Sequence, residues 1–161
     1  MSQTKPETNS KEKALVYIDV NNIFHRFKKL EWIKLRKSLE AIYEIERINA
    51  YNSVDHSNQA QNKFNTYLSN NGYRIEDPDC NVMSNVDPMI ITHILNDSNV
   101  QTHRVVILIA CDGGYSYPLN ELAKCGYKIH IIGCRNNTSL ELLKIADEIS
   151  YLEDLPGVVI E

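Results

Sequence analysis

Short apolar runs alternate with longer amphipathic stretches along most of the chain. "ALVYIDV" (14–20) is rich in β-branched and aromatic residues, with almost no polar interruption, as a strand buried on both faces requires. "RVVILIA" (104–110) has the same character and predicts the central strand. "RINAYNSV" (47–54), "GYRIED" (72–77), "YKIHIIG" (127–133) and "EISYLEDL" (148–155) predict further strands. Between them, "NNIFHRFKKLEWIKLRKSLEAIYEI" (21–45) is helical in character without clear internal boundaries. "HSNQAQNKFNTYLSNNGY" (56–73) predicts a helix with Phe64, Tyr67 and Leu68 inward, stopped by Asn71-Gly72. "VDPMIITHILND" opens a helix with Asp87 and Pro88, and "YPLNELAKCG" is a helix closed by Gly126. "NTSLELLKIAD" is a helix with Asn137 or Thr138 as its cap. Strands alternating with helices over short connections predict an α/β protein with a mainly parallel sheet.

A length of 161 residues suits one domain, expected over 14–161 behind a flexible polar tail at 1–13. The formal charge of −4 gives no global attraction to nucleic acid, so any such binding needs a local patch. No apolar run approaches the ~18–20 residues of a membrane span, and the start lacks a signal-peptide core, so a cytoplasmic location is expected. Cys80, Cys111, Cys125 and Cys134 form no zinc-like spacing. They read as reduced thiols, with Cys111 and Cys134 buried at the ends of apolar runs.

In open parallel sheets, ligands bind beyond the carboxyl ends of the strands. Asp19 and Asp112 fall there. The chain lacks a G-x-G-x-x-G after its first strand, a P-loop and a G-x-S-x-G elbow, which removes dinucleotide, NTP and serine-hydrolase chemistry. What remains is a set of carboxylates at element ends: Asp19, Asp87, Asp112 and Asp147. Carboxylates gathered at one edge repel each other unless neutralised, and Mg²⁺ and Mn²⁺ are the hard cations such oxygen ligands suit.

The order "YIDVNNIF", "GYRIEDPD", "NVDPMIITHIL", "VVILIACDGGYSYPLNELAKCGYKIHIIG" and "SLELLKIADEISYL" resembles the NYN domains, a branch of the PIN-like nucleases. The family pattern of an Asp with an Asn three residues on is matched by Asp19 and Asn22, its Val-Asp by Val86-Asp87, its strand-end Asp by Asp112, and its late Ala-Asp by Ala146-Asp147. The resemblance implies a three-layer α/β/α sandwich and metal-dependent RNA cleavage. It gives Asp19, Asp87 and Asp112 as metal carboxylates and catalytic residues, with Asn22 orienting water or phosphate. Where the family reads Ser-Gly-Asp-x-Asp-Phe, this chain reads Ala110-Cys111-Asp112-Gly113-Gly114-Tyr115, so the second acid is absent. Ser116 stands in as a weaker oxygen ligand if a glycine is inserted.

Each residue also has a plain structural reading. Asp87 before Pro88 is a helix cap, and Asn22 caps the first helix. Asp147 serves a structural role or supports the site from behind. The basic stretch with Arg26, Lys28, Lys29, Lys34, Arg36 and Lys37 is either a solvated helix face or the patch that grips RNA phosphates. Interleaved Phe24, Phe27 and Trp32 pack in the core or stack on a base. The leading reading is a Mg²⁺- or Mn²⁺-dependent endoribonuclease whose partner is RNA, with monomer and homodimer both open. Its rivals are a non-catalytic RNA-binding or protein-interaction module on the same fold, and a phosphatase of the haloacid dehalogenase type. The last wants an Asp where Asn21 stands.

Overall fold

The computed structural model describes residues 10–27, 29–83, 85–97 and 105–160. In chain order the elements are β1 (Lys13–Asp19), α1 (Val20–Phe24), α2 (Trp32–Ile42), β2 (Glu44–Tyr51), α3 (Gln59–Asn70), β3 (Arg74–Glu76), α4 (Asp87–Asp97), β4 (Val105–Ile109), α5 (Ser116–Lys124), β5 (Lys128–Gly133), α6 (Leu140–Ile145) and β6 (Glu148–Tyr151). Short 3-10 turns cover Gly113–Tyr115 and Leu152–Asp154. The strands form one parallel sheet in the order β3-β2-β1-β4-β5-β6. The winding direction therefore reverses between β1 and β4. Such a reversal splays the following loops apart and leaves a crevice at the carboxyl ends.

The pleat sorts side chains between two cores. Ala14, Val16 and Ile18 of β1 lie with Ile107 and Ile109 of β4 under Trp32, Leu35 and Leu39 of α2 and Leu68 of α3. Leu15 and Tyr17 lie with Val106 and Leu108 under Ile90 and Ile94 of α4, Leu119 and Leu122 of α5, and Leu142 of α6. The molecule is thus a three-layer α/β/α sandwich. Asp19 continues the odd-numbered series of β1, so its carboxylate emerges on the α4–α5 side. A one-residue slip would carry it to the other face.

Several expectations need correction. The stretch 21–45, mostly helical as expected, takes its boundaries only in the structure: α1 ends at Phe24 and α2 begins at Trp32. Between them Leu30 forms an antiparallel bridge with Val159, and Glu31 N–H donates to the Val158 carbonyl at 2.8 Å. Backbone bonds to the chain's last segment replace helical ones. Tyr67 faces outward, stacked on Phe64 with ring centroids 6.5 Å apart, while Leu68 takes the inner position. The helix stop is as expected, with Gly72 at φ +86°. Ser139, rather than Asn137 or Thr138, caps α6, because Thr138 Oγ1 is bonded to both backbone groups of Cys134. Lys13 belongs to β1 and not to a tail, and residues 1–9 lie outside the described residues.

Cys111 and Cys134 are joined as a disulfide, which overturns their reading as free thiols. Each lies just beyond one of two adjacent strands, β4 and β5, with Cα atoms 6.1 Å apart, a bridgeable separation. The neighbours are 23 residues apart in sequence, so only the strand order reveals them. Cys80 and Cys125 remain thiols.

Candidate functional site

Asp19 ends β1 and caps α1, its Oδ1 accepting the Asn22 N–H at 3.0 Å. Its Oδ2 accepts the Tyr115 hydroxyl at 2.9 Å. The same hydroxyl lies 2.7 Å from Oδ1 of Asp87, the first residue of α4. Asp87 does not spend its carboxylate on capping, because Asn85 Oδ1 accepts the Asp87 N–H at 3.0 Å. One phenol proton therefore stands between two carboxylates.

The electrostatics follow from burial. Asp19 is only 4 % exposed, and this desolvation pushes its pKa above the usual carboxylate range. Bonds from Asn22 N–H and Tyr115 oppose the shift, while the charges of Asp87 and Asp112 add to it. The Tyr115 phenol is driven far up by burial and by both neighbouring acids, so it remains a proton donor.

Asp112 is exposed just beyond β4, and its Oδ1 accepts the Gly114 N–H over a long 3.4 Å. Asn22 bridges the two strand ends by accepting the Cys111 N–H on Oδ1 at 3.1 Å. Gly113 sits in close quarters, since a Cβ there would press on the Ser139 hydroxyl and displace the carboxylate end of Glu141 at the start of α6. At Gly114 the situation differs: a Cβ would meet only Asp87 Oδ2, at 3.7 Å. The position has room for the acid it lacks, and that acid would point at the cluster.

An open cleft of about 880 Å³ adjoins the cluster through Asp112 and Gly114 and is further lined by Asn22, Arg26, Ser116, Asn136, Asn137, Thr138, Ser139 and Glu141, while Asp19, Asp87 and Tyr115 lie behind its wall. The disulfide ties its two walls together. Asn136 turns one wall with φ +63°, a conformation that asparagine tolerates better than most residues.

The structure thus gathers Asp19, Asp87, Asp112, Asn22 and Ser116. It does not bring Asp147 there. Helix α6 returns the chain to the amino edge of the sheet, where Asp147 Oδ2 accepts the Ile129 N–H at 2.8 Å. Its role is structural. Of the basic stretch, Arg26 lines the cleft, and Lys29, Lys34 and Lys37 are exposed. Arg36 is occupied, pairing with Glu40 at 2.6 Å and donating to the Asn71 carbonyl at 2.9 Å. Lys28 lies outside the described residues. Sequence reasoning missed Tyr115 and Glu141. A tyrosine standing where the family pattern has phenylalanine was the available signal for the former.

Carboxylate oxygens suit a hard divalent cation, and between Asp19 and Asp87 a single hydroxyl proton stands against their mutual repulsion. The set is not preassembled: among the described residues no group of three or more His, Cys, Asp or Glu side chains is arranged to hold a metal ion. For one ion to bridge Asp19 and Asp87, the Tyr115 hydroxyl would first have to yield its place.

The fold is a doubly wound α/β sandwich in which two carboxylates meet at the switch point of a six-stranded parallel sheet. The NYN domain model matches residues 13–153, and the chain belongs to that family. Among solved structures, it is similar to a protein of unknown function, VPA0982, from Vibrio parahaemolyticus RIMD 2210633. That match has a TM-score of 0.79 and 18% identity, covering 96% of this chain and 99% of the other. No curated protein matches. Among the described residues no helix is long and apolar enough to cross a membrane.

Proposed function

We propose that this domain binds RNA along the cleft and hydrolyses its phosphodiester backbone with Mg²⁺ or Mn²⁺ held by Asp19, Asp87 and Asp112. The observation that carries the reading is the meeting of Asp19 and Asp87 on one hydroxyl, with Asp112 in electrostatic reach, where the sheet reverses direction. A bound cation supplies neutralisation of the phosphate charge and acidification of the attacking water. The chain's own residues do the rest. Arg26 grips a backbone phosphate, and the Asn22 amide, fixed through its oxygen to Cys111 N–H, presents its nitrogen to the cleft as a donor. Asp112, the exposed carboxylate, completes the oxygen set that would hold the cation, and solvent takes the proton released by the attacking water and returns one to the leaving oxygen. Tyr115 holds Asp19 and Asp87 together until they are needed.

The test is incubation of purified protein with mixed single-stranded and structured RNA, in Mn²⁺ and in EDTA, beside Asp19→Asn. Cleavage that needs Mn²⁺ and is lost in the variant supports the reading. A second reading, RNA binding without cleavage, is favoured by Gly114 in place of an acid and by Tyr115 between the others. RNA bound but left intact at high protein and Mn²⁺ concentrations would establish it instead.

A further inference from the structure

On the opposite side of α1 from the cleft lies a second, half-open cavity of about 430 Å³. Asn22 and Arg26 face the cleft, whereas Asn21, Phe24 and His25 line the cavity. Asn52 contributes to it from just past β2, one residue beyond Tyr51, the register partner of Asp19. In backbone terms it is about one strand spacing, ~4.8 Å, from the end of β1. Cleft and cavity are therefore separated by one short helix.

The lining is distinctive. Phe24 is 51 % exposed, unusual for a phenylalanine, and rests against Phe64 with centroids 5.5 Å apart at 50°. Around this aromatic wall stand the amides of Asn21, Asn58 and Gln61. Gln61 Oε1 accepts the Asp55 N–H at 2.7 Å, and Asn58 Oδ1 caps α3 by accepting from Ala60 and Gln61. Both thereby present their NH₂ groups outward. The Asn21 side chain has no hydrogen-bond partner among the described residues. Among the described residues, no Arg, Lys, Asp or Glu lines the cavity.

We propose that this cavity receives one unpaired nucleobase, adenine, of an RNA strand whose backbone continues into the carboxylate cleft. An exposed aromatic face with amide donors and acceptors is how proteins take up splayed-out bases. The polar set selects the base: an amide with both its oxygen and its nitrogen free, as Asn21 has, matches the adjacent donor and acceptor of adenine in a bidentate pair. Lys29, which with Phe24 and Phe64 borders a neighbouring hollow, supplies a positive charge beside the entrance.

The inference rests on the RNA-binding reading, and the experiment separates the two. Fluorescence anisotropy in EDTA at low salt measures binding of labelled eight-residue oligoadenylate, oligouridylate and oligocytidylate. Oligoadenylate should bind the parent at least five-fold tighter than the others. Phe24→Ala, at an exposed position, should weaken oligoadenylate roughly five-fold or more by removing the stacking face. Asn21→Leu, of similar shape, should erase the preference while leaving oligouridylate affinity unchanged. Unchanged thermal melts show that both variants fold. A parent that binds all three equally, with both variants unaltered, overturns the base pocket and leaves the RNA reading standing. A parent that binds none of them overturns both.

Discussion

Tyr115 donates its hydroxyl to Asp87 at 2.7 Å while the same oxygen lies within bonding distance of Asp19. A phenol has one proton, so it satisfies one carboxylate at a time. The buried member of the pair, Asp19, bears the larger desolvation and the raised pKa. Tyr115 thus holds the acids together at the point where, in the function proposed, a cation would bind. Removing only the hydroxyl, by Tyr115→Phe, should lower stability in EDTA by about 1–3 kcal/mol, the cost of an unpaired buried acceptor. The same variant should gain more from Mn²⁺ than the parent, because nothing competes with the ion. Thermal melts in both conditions check this. Equal gains from Mn²⁺ would mean that the hydroxyl guards no cation site.

Gly114→Asp restores the missing acid into open space facing Asp87. In EDTA it should melt lower than the parent through added like-charge repulsion. In Mn²⁺ that order should reverse, with tighter binding by calorimetry and faster RNA cleavage. A variant that folds but shows no greater metal affinity would place the loop in a different register from the family pattern.

Arg26 and Arg36 look alike in sequence but differ in structure. Arg26 lines the cleft, whereas Arg36 joins α2 to the end of α3 through Glu40 and the Asn71 carbonyl. Arg26→Ala should reduce the salt dependence of RNA binding by roughly 0.7 in slope, the value for one single-strand phosphate contact. Arg36→Ala should leave the slope unchanged and lower the melting temperature. Titrations at several salt concentrations distinguish them.

The ordering of strands and helices was legible because strands buried on both faces leave uninterrupted apolar runs, as Val105–Ile109 shows. Asp19 and Asp112 stood out as charges ending such runs. Features set by strand adjacency were not legible. The Cys111–Cys134 bond depends on β4 lying beside β5, and the break before Trp32 depends on Val158 and Val159 arriving from the far end of the chain. Tyr115 reads as a core aromatic in sequence, and only the convergence of β1, α4 and the turn after β4 gives its hydroxyl two acidic partners.

His130 makes one directional contribution to the pH dependence of stability. It is buried between the Tyr43 hydroxyl, 3.0 Å from Nδ1, and Ser150 Oγ, 2.9 Å from Nε2. Burial lowers its pKa, assisted by Lys128 and opposed by the Glu148 charge. Unfolded histidine titrates near ~6.5, so the unfolded chain binds the proton more readily than the folded one. Stability should therefore be full above that pH and fall as pH drops through 6.5 toward the lowered folded value. His130→Gln should flatten denaturant-measured stability between about pH 6.5 and 5. An unchanged slope would show that His130 is not the group responsible.

If Asp19, Asp87 and Asp112 share a divalent cation once Tyr115 yields, anomalous diffraction from crystals equilibrated with Mn²⁺ will reveal it. A manganese peak is expected within coordination distance of Asp19 and Asp112, with the Tyr115 hydroxyl moved from between Asp19 and Asp87. No peak at millimolar Mn²⁺, with Tyr115 still bonded to both carboxylates, would contradict it.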